Sequence, residues 1–370
     1  MKPNDRHLDA PIVYNPSYEI LEPDEKETEA GLVDALTRIA ETVFQHSEHA
    51  RRAVHAKSHG LLRGVIEVLP DLPATHAQGI CARPGTRPAL LRLSTTPGDM
   101  LSDKVSTPRG MALKMVGVEG ERLAGSEGDV TQDFVLVDSP AFSAPSARKF
   151  LANLKLLAAT TDKAPELKKA LSALLRGAEH MLESAGKESA TLVALGGHPE
   201  THPLGETYFS QAPILWGPYM AKVAVAPVSP ALQALAGSPV DLKDNPDGLR
   251  DAVRDFFAAG GAEWELCVQL CTDLERMPIE DATVPWPEEL SPYLPVARIR
   301  VPAQVAWSGP RSYAVDDGMS FSPWHGLAAH RPIGSIMRVR KAAYEMSARF
   351  RAGRNGHRVK EPASFDDLPD

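Results

Sequence analysis

The chain has 370 residues, and its 40 lysine and arginine residues against 48 aspartate and glutamate residues give a formal net charge of -8. A mildly acidic protein does not attract phosphate backbones or anionic lipid, so we expect no nucleic-acid partner and no membrane-surface partner. No apolar run reaches the length of a membrane span, and the first residues lack the basic-then-apolar order of a signal peptide, which predicts a cytoplasmic location. Three cysteines are too few for a disulfide framework.

The first half of the chain predicts an arm, a helix and a set of strands. Residues 1–23 are polar and rich in proline, which is typical of an arm rather than a core element. Apolar residues at helical spacing then predict one amphipathic helix over 24–49. The strand candidates that follow are separated by turns, as in antiparallel pairing, and lie at 61–69, 88–95, 111–118 and 131–138.

One of these strands carries an arginine at a core-facing position. Alternation places Leu90, Arg92 and Ser94 on one face of strand 88–95, which we interpret as half-buried. An arginine that faces inwards requires an anionic partner, because an unpaired charge is costly to bury. The sequence therefore predicts an anion beside Arg92.

The second half mixes helices with further strands. Helices are predicted at 146–161, 165–185 and 246–258, and a final helix contains 338–351. Strands are predicted at 219–228, at 297–307 and around Trp264, Leu266, Val268 and Leu270, which share one face. About eight strands without regular strand-helix alternation favour a closed barrel over a doubly wound sheet.

A histidine-rich segment precedes the first strand and allows more than one interpretation. Its histidines are His46, His49, His55 and His59. His55 and His59 could share a helix face and bind zinc, with an earlier histidine completing the site, but no glutamate follows His55 and the segment is entering a strand. A solvated basic loop is the simpler alternative. Cys267 and Cys271 could also be metal ligands, although their strand pattern favours small buried side chains.

The final helix contains an arginine and a tyrosine one turn apart. Arg340 and Tyr344 share one helix face, so the guanidinium can approach the phenol. A fixed cation favours the phenolate form of a tyrosine, and a bound ferric ion favours it more strongly. Such pairs also occur by chance on surface helices.

Several blocks in one order resemble the haem catalase family and its small catalase-related peroxidases. Residues 52–57 resemble the distal histidine motif, and 91–95 with 107–114 are similar to a haem-side arginine and serine followed by a Pro-Arg-Gly turn. Residues 132–142 are similar to the strand and aromatic residue that come next, and 319–323 followed by Arg340 and Tyr344 have the order of the proximal ligand motif. The resemblance implies an α+β fold, namely a catalase-like antiparallel eight-stranded β-barrel with helical insertions.

The resemblance also implies roles around haem b. Tyr344 would be the axial ligand of the haem iron, and Arg340 would keep it ionised. His55 would move a proton between the two peroxide oxygens, Ser94 would orient its imidazole, and Phe142 would cover the porphyrin. The haem propionates would pair with Arg52, Arg92 and Arg351.

The sequence departs from the catalase pattern at two points. Catalases have a distal asparagine shortly before strand 131–138, but no asparagine stands there, and Gln132 and Asp129 are the candidates for its polar contact. The sequence also ends soon after Tyr344, where catalases continue into a wrapping segment and a helical domain. We therefore expect no C-terminal helical domain, no NADPH site and weak catalase turnover.

These inferences give one haem domain over 1–370, with an arm and helix at 1–49, a barrel at 50–310 with helical insertions near 146–185 and 246–258, and a loop, ligand helix and tail at 311–370. The expected enzyme is an oxidoreductase that reduces hydrogen peroxide or organic hydroperoxides through a ferryl intermediate, using a small reducing donor. The alternatives are a haem enzyme that rearranges lipid hydroperoxides and a haem-binding protein without turnover. A homodimer is the expected assembly.

Overall fold

The computed structural model describes residues 9–158 and 198–367, and nine strands among them form one antiparallel sheet. The strands are β1 (Ser58–Val68), β2 (Gly85–Thr95), β3 (Arg109–Val116), β4 (Thr131–Val137), β5 (Tyr208–Phe209), β6 (Ile214–Trp216), β7 (Tyr219–Pro227), β8 (Ala262–Leu270) and β9 (Leu294–Val301). The helices of the described residues are α1 (Glu25–Ser47), α2 (Ala147–Ala158), α3 (Pro230–Gln233), α4 (Gly248–Ala259), α5 (Gly309–Ser312) and α6 (Ser335–Asn355).

The sheet closes into a barrel because β5 pairs on both of its sides. Phe209 in β5 lies opposite Val137 in β4, and Tyr208 lies opposite Val225 in β7. At the other side of the ring β1 pairs with β2 and with β9. Eight strands therefore form a continuous antiparallel ring, and β6 pairs with the first part of β7. The predicted eight-stranded antiparallel barrel is confirmed.

Both faces of β2 are buried, which differs from the half-buried strand expected from its alternation. Leu91 and Leu93 belong to the core inside the barrel, whereas Leu90 packs outside against a cluster that contains Phe321. Arg92 shares the outer face with Leu90, because side chains two residues apart point to the same side of a strand. Arg92 is therefore covered by the later segment around Phe321 instead of facing the barrel core.

The long helices form a layer outside the barrel. The apolar stripe of α1 is buried as predicted, and it packs with residues of α2 and with Val339 and Ala343 of α6. Ala53, two residues before His55, belongs to the same cluster. This packing brings α6 next to the residues that precede β1. The predicted helix at 165–185 lies outside the described residues.

The predicted strands are present, as are the predicted helices that fall within the described residues, and two short strands were missed. β5 and β6 have only two and three residues, too few for a period-two pattern to stand out. Cys267 and Cys271 are buried and free, as their strand pattern predicts. Among residues 9–158 and 198–367, none of the helices combines the length and the apolar character needed to cross a bilayer.

Candidate active site

His55 is held in an uncommon backbone conformation between α1 and β1. Its φ of 54° lies in the left-handed region, which non-glycine residues adopt rarely and which is found repeatedly at functional sites. The His55 amide donates to the Thr96 carbonyl at 2.8 Å, and the Arg92 guanidinium donates to the His55 carbonyl at 2.8 Å. Both peptide groups of His55 are thus fixed by residues of β2 and its following turn.

The imidazole of His55 is positioned by Ser94 and Gly110. Its Nδ1 lies 3.1 Å from Ser94 Oγ. A Cβ atom on Gly110 would lie 2.5 Å from His55 Cε1, so the ring packs directly on the backbone of β3. Ser94 and Gly110 are paired across β2 and β3, and the barrel itself therefore sets the orientation of the ring.

The surroundings of His55 keep the imidazole neutral. Burial, together with the guanidinium groups of Arg92 and Arg340, lowers the pKa of His55 from 6.5 to about 3. The carboxylate of Asp138 opposes this effect but does not overcome it. A neutral imidazole can accept a proton, which a general base requires.

The pair of Arg340 and Tyr344, predicted on the last helix, is formed on α6. Arg340 Nη2 donates to Tyr344 Oη at 2.6 Å, and the guanidinium carbon lies 5.3 Å from the ring centre of the same tyrosine. Arg340 is also near enough to His55 to lower its pKa. The charge of Arg340 therefore acts on both the phenol of Tyr344 and the imidazole of His55.

Two arginines contact the carboxylate of Asp316, and a third, Arg351, lies in the same cluster. Arg92 Nε donates to Asp316 Oδ1 at 2.7 Å, and Arg52 Nη1 lies 3.2 Å from the same oxygen. Arg351 is buried and donates to the Met319 carbonyl at 3.0 Å. The predicted anion beside Arg92 is thus present, but it is a side chain of this chain.

This cluster has more positive than negative charge. Burial and the nearby Arg92 lower the pKa of Arg351 to about 10, and burial with Arg92 and Arg351 also lowers the pKa of Arg52. The Nε atom of Arg351 is buried without a hydrogen-bond partner. Asp316 compensates one of three guanidinium charges, and Asp317 already pairs with His49 at 2.9 Å. The cluster is therefore suited to bind a further anion, such as a carboxylate.

Phe142 lies on the helical side of this region. Its ring packs edge-on against Phe150 of α2, with 5.0 Å between the ring centres. Phe150 in turn packs against the cluster that includes Val339 and Ala343 of α6. This places Phe142 near the helix that carries Tyr344 and is compatible with the predicted cover for a flat ligand.

Gln132 and Asp129 are not brought to His55, so we correct the prediction that they supply its polar contact. Gly110, which touches the imidazole, pairs with Val137, and Gln132 is five residues further along β4, a distance of about 17 Å. The Gln132 side chain accepts from the Leu327 amide at 2.8 Å. Asp129 lies in the turn before β4 and lines a separate pocket.

His46, His49, His55 and His59 do not form a metal site among the described residues. His49 pairs with Asp317, and the buried His59 has its Nε2 3.2 Å from Thr95 Oγ1. The group of metal-ligating side chains that the described residues bring together lies elsewhere and contains none of the four. The zinc alternative at His55 is not supported.

Sequence reasoning missed Asp316, Gly110 and Asp138. Asp316 sits in a helical turn whose sequence gives no sign that its carboxylate meets two arginines of β2 and the preceding loop. Gly110 belongs to a recognisable Pro-Arg-Gly turn, which was the available signal. Asp138 has a fully buried side chain that accepts a hydrogen bond from the Arg109 amide at 2.9 Å. The same carboxylate lies 2.9 Å from His198 Nε2, close to the strands β2 and β3 on which the His55 imidazole packs.

The fold of the chain is similar to that of catalases. Similar solved structures include a fungal catalase, catalase A from Saccharomyces cerevisiae and a bacterial catalase. Their sequence identities to the chain are 18%, 18% and 16%, each with a TM-score of 0.57. The alignments cover 95%, 94% and 94% of the chain and 66%, 68% and 64% of those proteins, so the chain spans about two thirds of their length. Scans of protein-family models and of curated proteins find no match.

Proposed function

We propose that the chain is a haem-dependent enzyme that reduces hydrogen peroxide or organic hydroperoxides with a small reducing donor, and that peroxidase turnover exceeds catalase turnover. The observation that carries this proposal is the hydrogen bond that Arg340 donates to the Tyr344 hydroxyl at 2.6 Å. The charge of the same guanidinium also lowers the pKa of His55, which supports placing a candidate iron ligand and a candidate proton carrier in one site. The catalase-like fold supports the same assignment.

The residues present fit haem b. When bound, haem would supply an iron centre that activates the peroxide bond. The Tyr344 oxygen would be its protein ligand, and donation from Arg340 favours the phenolate form that such a ligand needs. Arg52, Arg92 and Arg351 would hold the propionates, because their cluster has excess positive charge and Arg351 has a free buried Nε donor.

The proton transfers fall to His55. Its neutral imidazole would accept the proton of one peroxide oxygen and return it to the other, so that water or an alcohol leaves. Because Ser94 engages Nδ1, the nitrogen available for the substrate is Nε2. The packing of the ring on Gly110 keeps that nitrogen in place without a side-chain rearrangement.

The ligand assignment is tested by Tyr344→Phe. We expect the variant to lose haem or to change the haem spectrum, because the phenyl ring offers no oxygen. Tyr313→Phe is the matched control, since Tyr313 is 57% exposed and contacts His357 outside the site. Equal haem content and an unchanged spectrum in Tyr344→Phe would refute the assignment.

The catalytic assignment is tested by His55→Ala. We expect the variant to keep haem and to react with peroxide about a hundredfold more slowly, as is usual when a general acid-base group is lost. Stopped-flow absorbance measures this step. Oxygen release from hydrogen peroxide and oxidation of an aromatic donor, assayed side by side on the unmodified chain, then separate catalase from peroxidase turnover. Oxygen release as the dominant activity would overturn the preference for peroxidase.

A further inference from the structure

A second group of polar side chains lies on the outer face of β3 and β4, at the far end of these strands from His55. Lys114 and Asp133 face each other there at 2.6 Å, and both side chains are fully buried. His325, from the loop before α6, and Glu361, from the tail after α6, complete the group. No step of the proposed peroxide chemistry uses these residues.

The spacing in this group is that of metal ligands. His325 Nδ1 lies 3.4 Å from Asp133 Oδ2 and 3.3 Å from Glu361 Oε1. These distances exceed those of ordinary charged hydrogen bonds, and Nδ1 is a buried atom without a hydrogen-bond partner. A tetrahedral zinc ion with bonds of about 2.0–2.1 Å holds its ligand atoms about 3.3–3.4 Å apart. Both nitrogen-to-oxygen distances match that geometry, and the three ligand atoms all lie within 4.8 Å of one another.

The other carboxylate oxygens are already fixed by donors. Lys114 Nζ bonds Asp133 Oδ1 at 2.6 Å and also bonds Glu361 Oε2. Thr131 Oγ1 donates to the same Glu361 oxygen at 2.8 Å. The Ser322 amide donates at 2.9 Å to Asp133 Oδ2, the oxygen that faces His325, and so orients that ligand atom. Such outer hydrogen bonds orient ligands in metal sites and are part of their affinity.

A path to the group is present. A pocket of about 480 Å³ opens on His325 and Glu361, and its walls include Asp129, Ser320 and Lys360. A metal ion could enter through this pocket, and a water molecule there could supply the fourth ligand. Asp129, first considered for the peroxide site, thus belongs to this second location.

We propose that Asp133, His325 and Glu361 bind one divalent transition-metal ion, of which zinc fits best. One imidazole nitrogen with two carboxylate oxygens suits zinc among the common cations, and a tetrahedral arrangement agrees with the distances. The ammonium of Lys114 reduces the negative charge of the site but contacts the outer oxygens. The bound ion would tie the tail at Glu361 to the barrel wall.

The competing state is a protonated His325 in an ion cluster. Burial opposes a charged imidazole, yet Asp133 and Glu361 raise the pKa of His325 to about 9. The same two carboxylates would attract a metal ion, which would replace that proton. His325 therefore either binds zinc or holds a proton, and a zinc titration distinguishes the two states.

The test uses the full chain after treatment with a chelator and dialysis. Zinc is titrated in competition with a chromophoric zinc indicator, with His325→Gln and Glu361→Gln as variants and His357→Gln as control. His357 is a histidine of the same tail that contacts Tyr313 instead of the cluster. We expect one zinc per chain, affinity at least tenfold weaker in both variants and unchanged affinity in the control. Cobalt in place of zinc should give the visible bands of tetrahedral coordination.

Two outcomes would overturn the proposal. The first is the absence of stoichiometric zinc binding, and the second is equal zinc affinity in all three substituted chains; either would mean an ion cluster only. Circular dichroism checks that the variants are folded. Glu361→Gln decides the question if His325→Gln does not fold, because Glu361 lies in the tail outside the barrel strands.

Discussion

Replacement of Asp316 by asparagine tests the arginine cluster directly. The carboxylate of Asp316 accepts from Arg92 Nε at 2.7 Å and from the hydroxyl groups of Ser58 and Ser312, each at 2.7 Å. The substitution would keep the size of the side chain but not its charge. Three guanidinium groups would then lie near one another without this carboxylate.

The expected loss of stability follows from the pKa of Asp316. Burial alone would raise it, but Arg92 and Arg52 lower the pKa to about 2, against 3.8 for an ordinary aspartate. A lower pKa in the folded chain corresponds to about 2 kcal/mol of stabilisation by the ionised group at neutral pH. Asp316→Asn should therefore lower the free energy of unfolding by about 2 kcal/mol.

The contribution of Asp316 to the free energy of unfolding should depend on pH in one direction. Because the folded pKa of Asp316 is below the unfolded value, its contribution is complete above about pH 4 and is lost as the pH falls towards about 2. The difference between the unmodified and Asp316→Asn chains should thus be constant near neutrality and shrink in acid. Urea denaturation followed by circular dichroism, at several pH values, measures it.

Asp317→Asn is the matched control. Asp317 has the same chemistry and the next position, but it pairs with the partly exposed His49 instead of a buried guanidinium. Equal losses of stability in the two variants, or a loss in Asp316→Asn that persists at pH 2, would refute the electrostatic reasoning.

Three further predictions concern the site and the helix that carries Tyr344. Gly110→Ala should keep haem but slow the reaction with peroxide about a hundredfold, because a Cβ would lie 2.5 Å from the His55 ring and displace it; stopped-flow absorbance measures the rate. Since the pKa of His55 is about 3, well below 6.5, its imidazole stays neutral and the rate of that reaction should not change through protonation of His55 between about pH 5 and 8. Arg338→Leu should lower the free energy of unfolding by about 3 kcal/mol in urea, because it removes a guanidinium that pairs with three partly buried carboxylates, of which only Glu19 keeps another ion pair, with Arg331. Those carboxylates belong to Glu19, Glu25 and Glu280.

Controls for these predictions are available in the same chain. Gly128→Ala adds a methyl group with no atom within 4 Å, so a similar rate loss there would contradict the steric reason given for Gly110. Arg349→Leu removes an exposed pair with Glu345 on the same helix and should cost less than about 0.5 kcal/mol. A peroxide rate that falls with an apparent pKa near 6.5 would disagree with a neutral His55.

Much of the fold was predictable because its elements have strong local patterns. The helix over 24–49 appears as α1, and the four early strand candidates correspond to β1, β2, β3 and β4. β5 was not predicted, although its two residues close the ring, because the signal lies in pairing with β4 and β7 and not in its own sequence. Closure of the barrel is thus a property of strand contacts.

Some residues of the candidate site could be predicted from the sequence, and others depend on contacts between strands. Arg340 and Tyr344 are one helical turn apart, so the sequence alone determines that they meet once the segment is helical. Gln132 and Asp129 are candidates only because they stand where catalases have an asparagine, and the register of β3 with β4 puts them far from His55. Position along the chain does not predict this distance, because the pairing of the two strands sets which residues face each other.

The sequence by itself determined the helical and strand segments, the arginine-tyrosine pair and the need for an anion beside Arg92, since each depends on residues near one another in the chain. The tertiary structure decided that Asp316 is that anion, that Gly110 supports the His55 ring, and that His325 and Glu361 meet Asp133. These contacts join residues far apart in sequence, and long-range packing of the barrel, the loop before α6 and the tail brings them together.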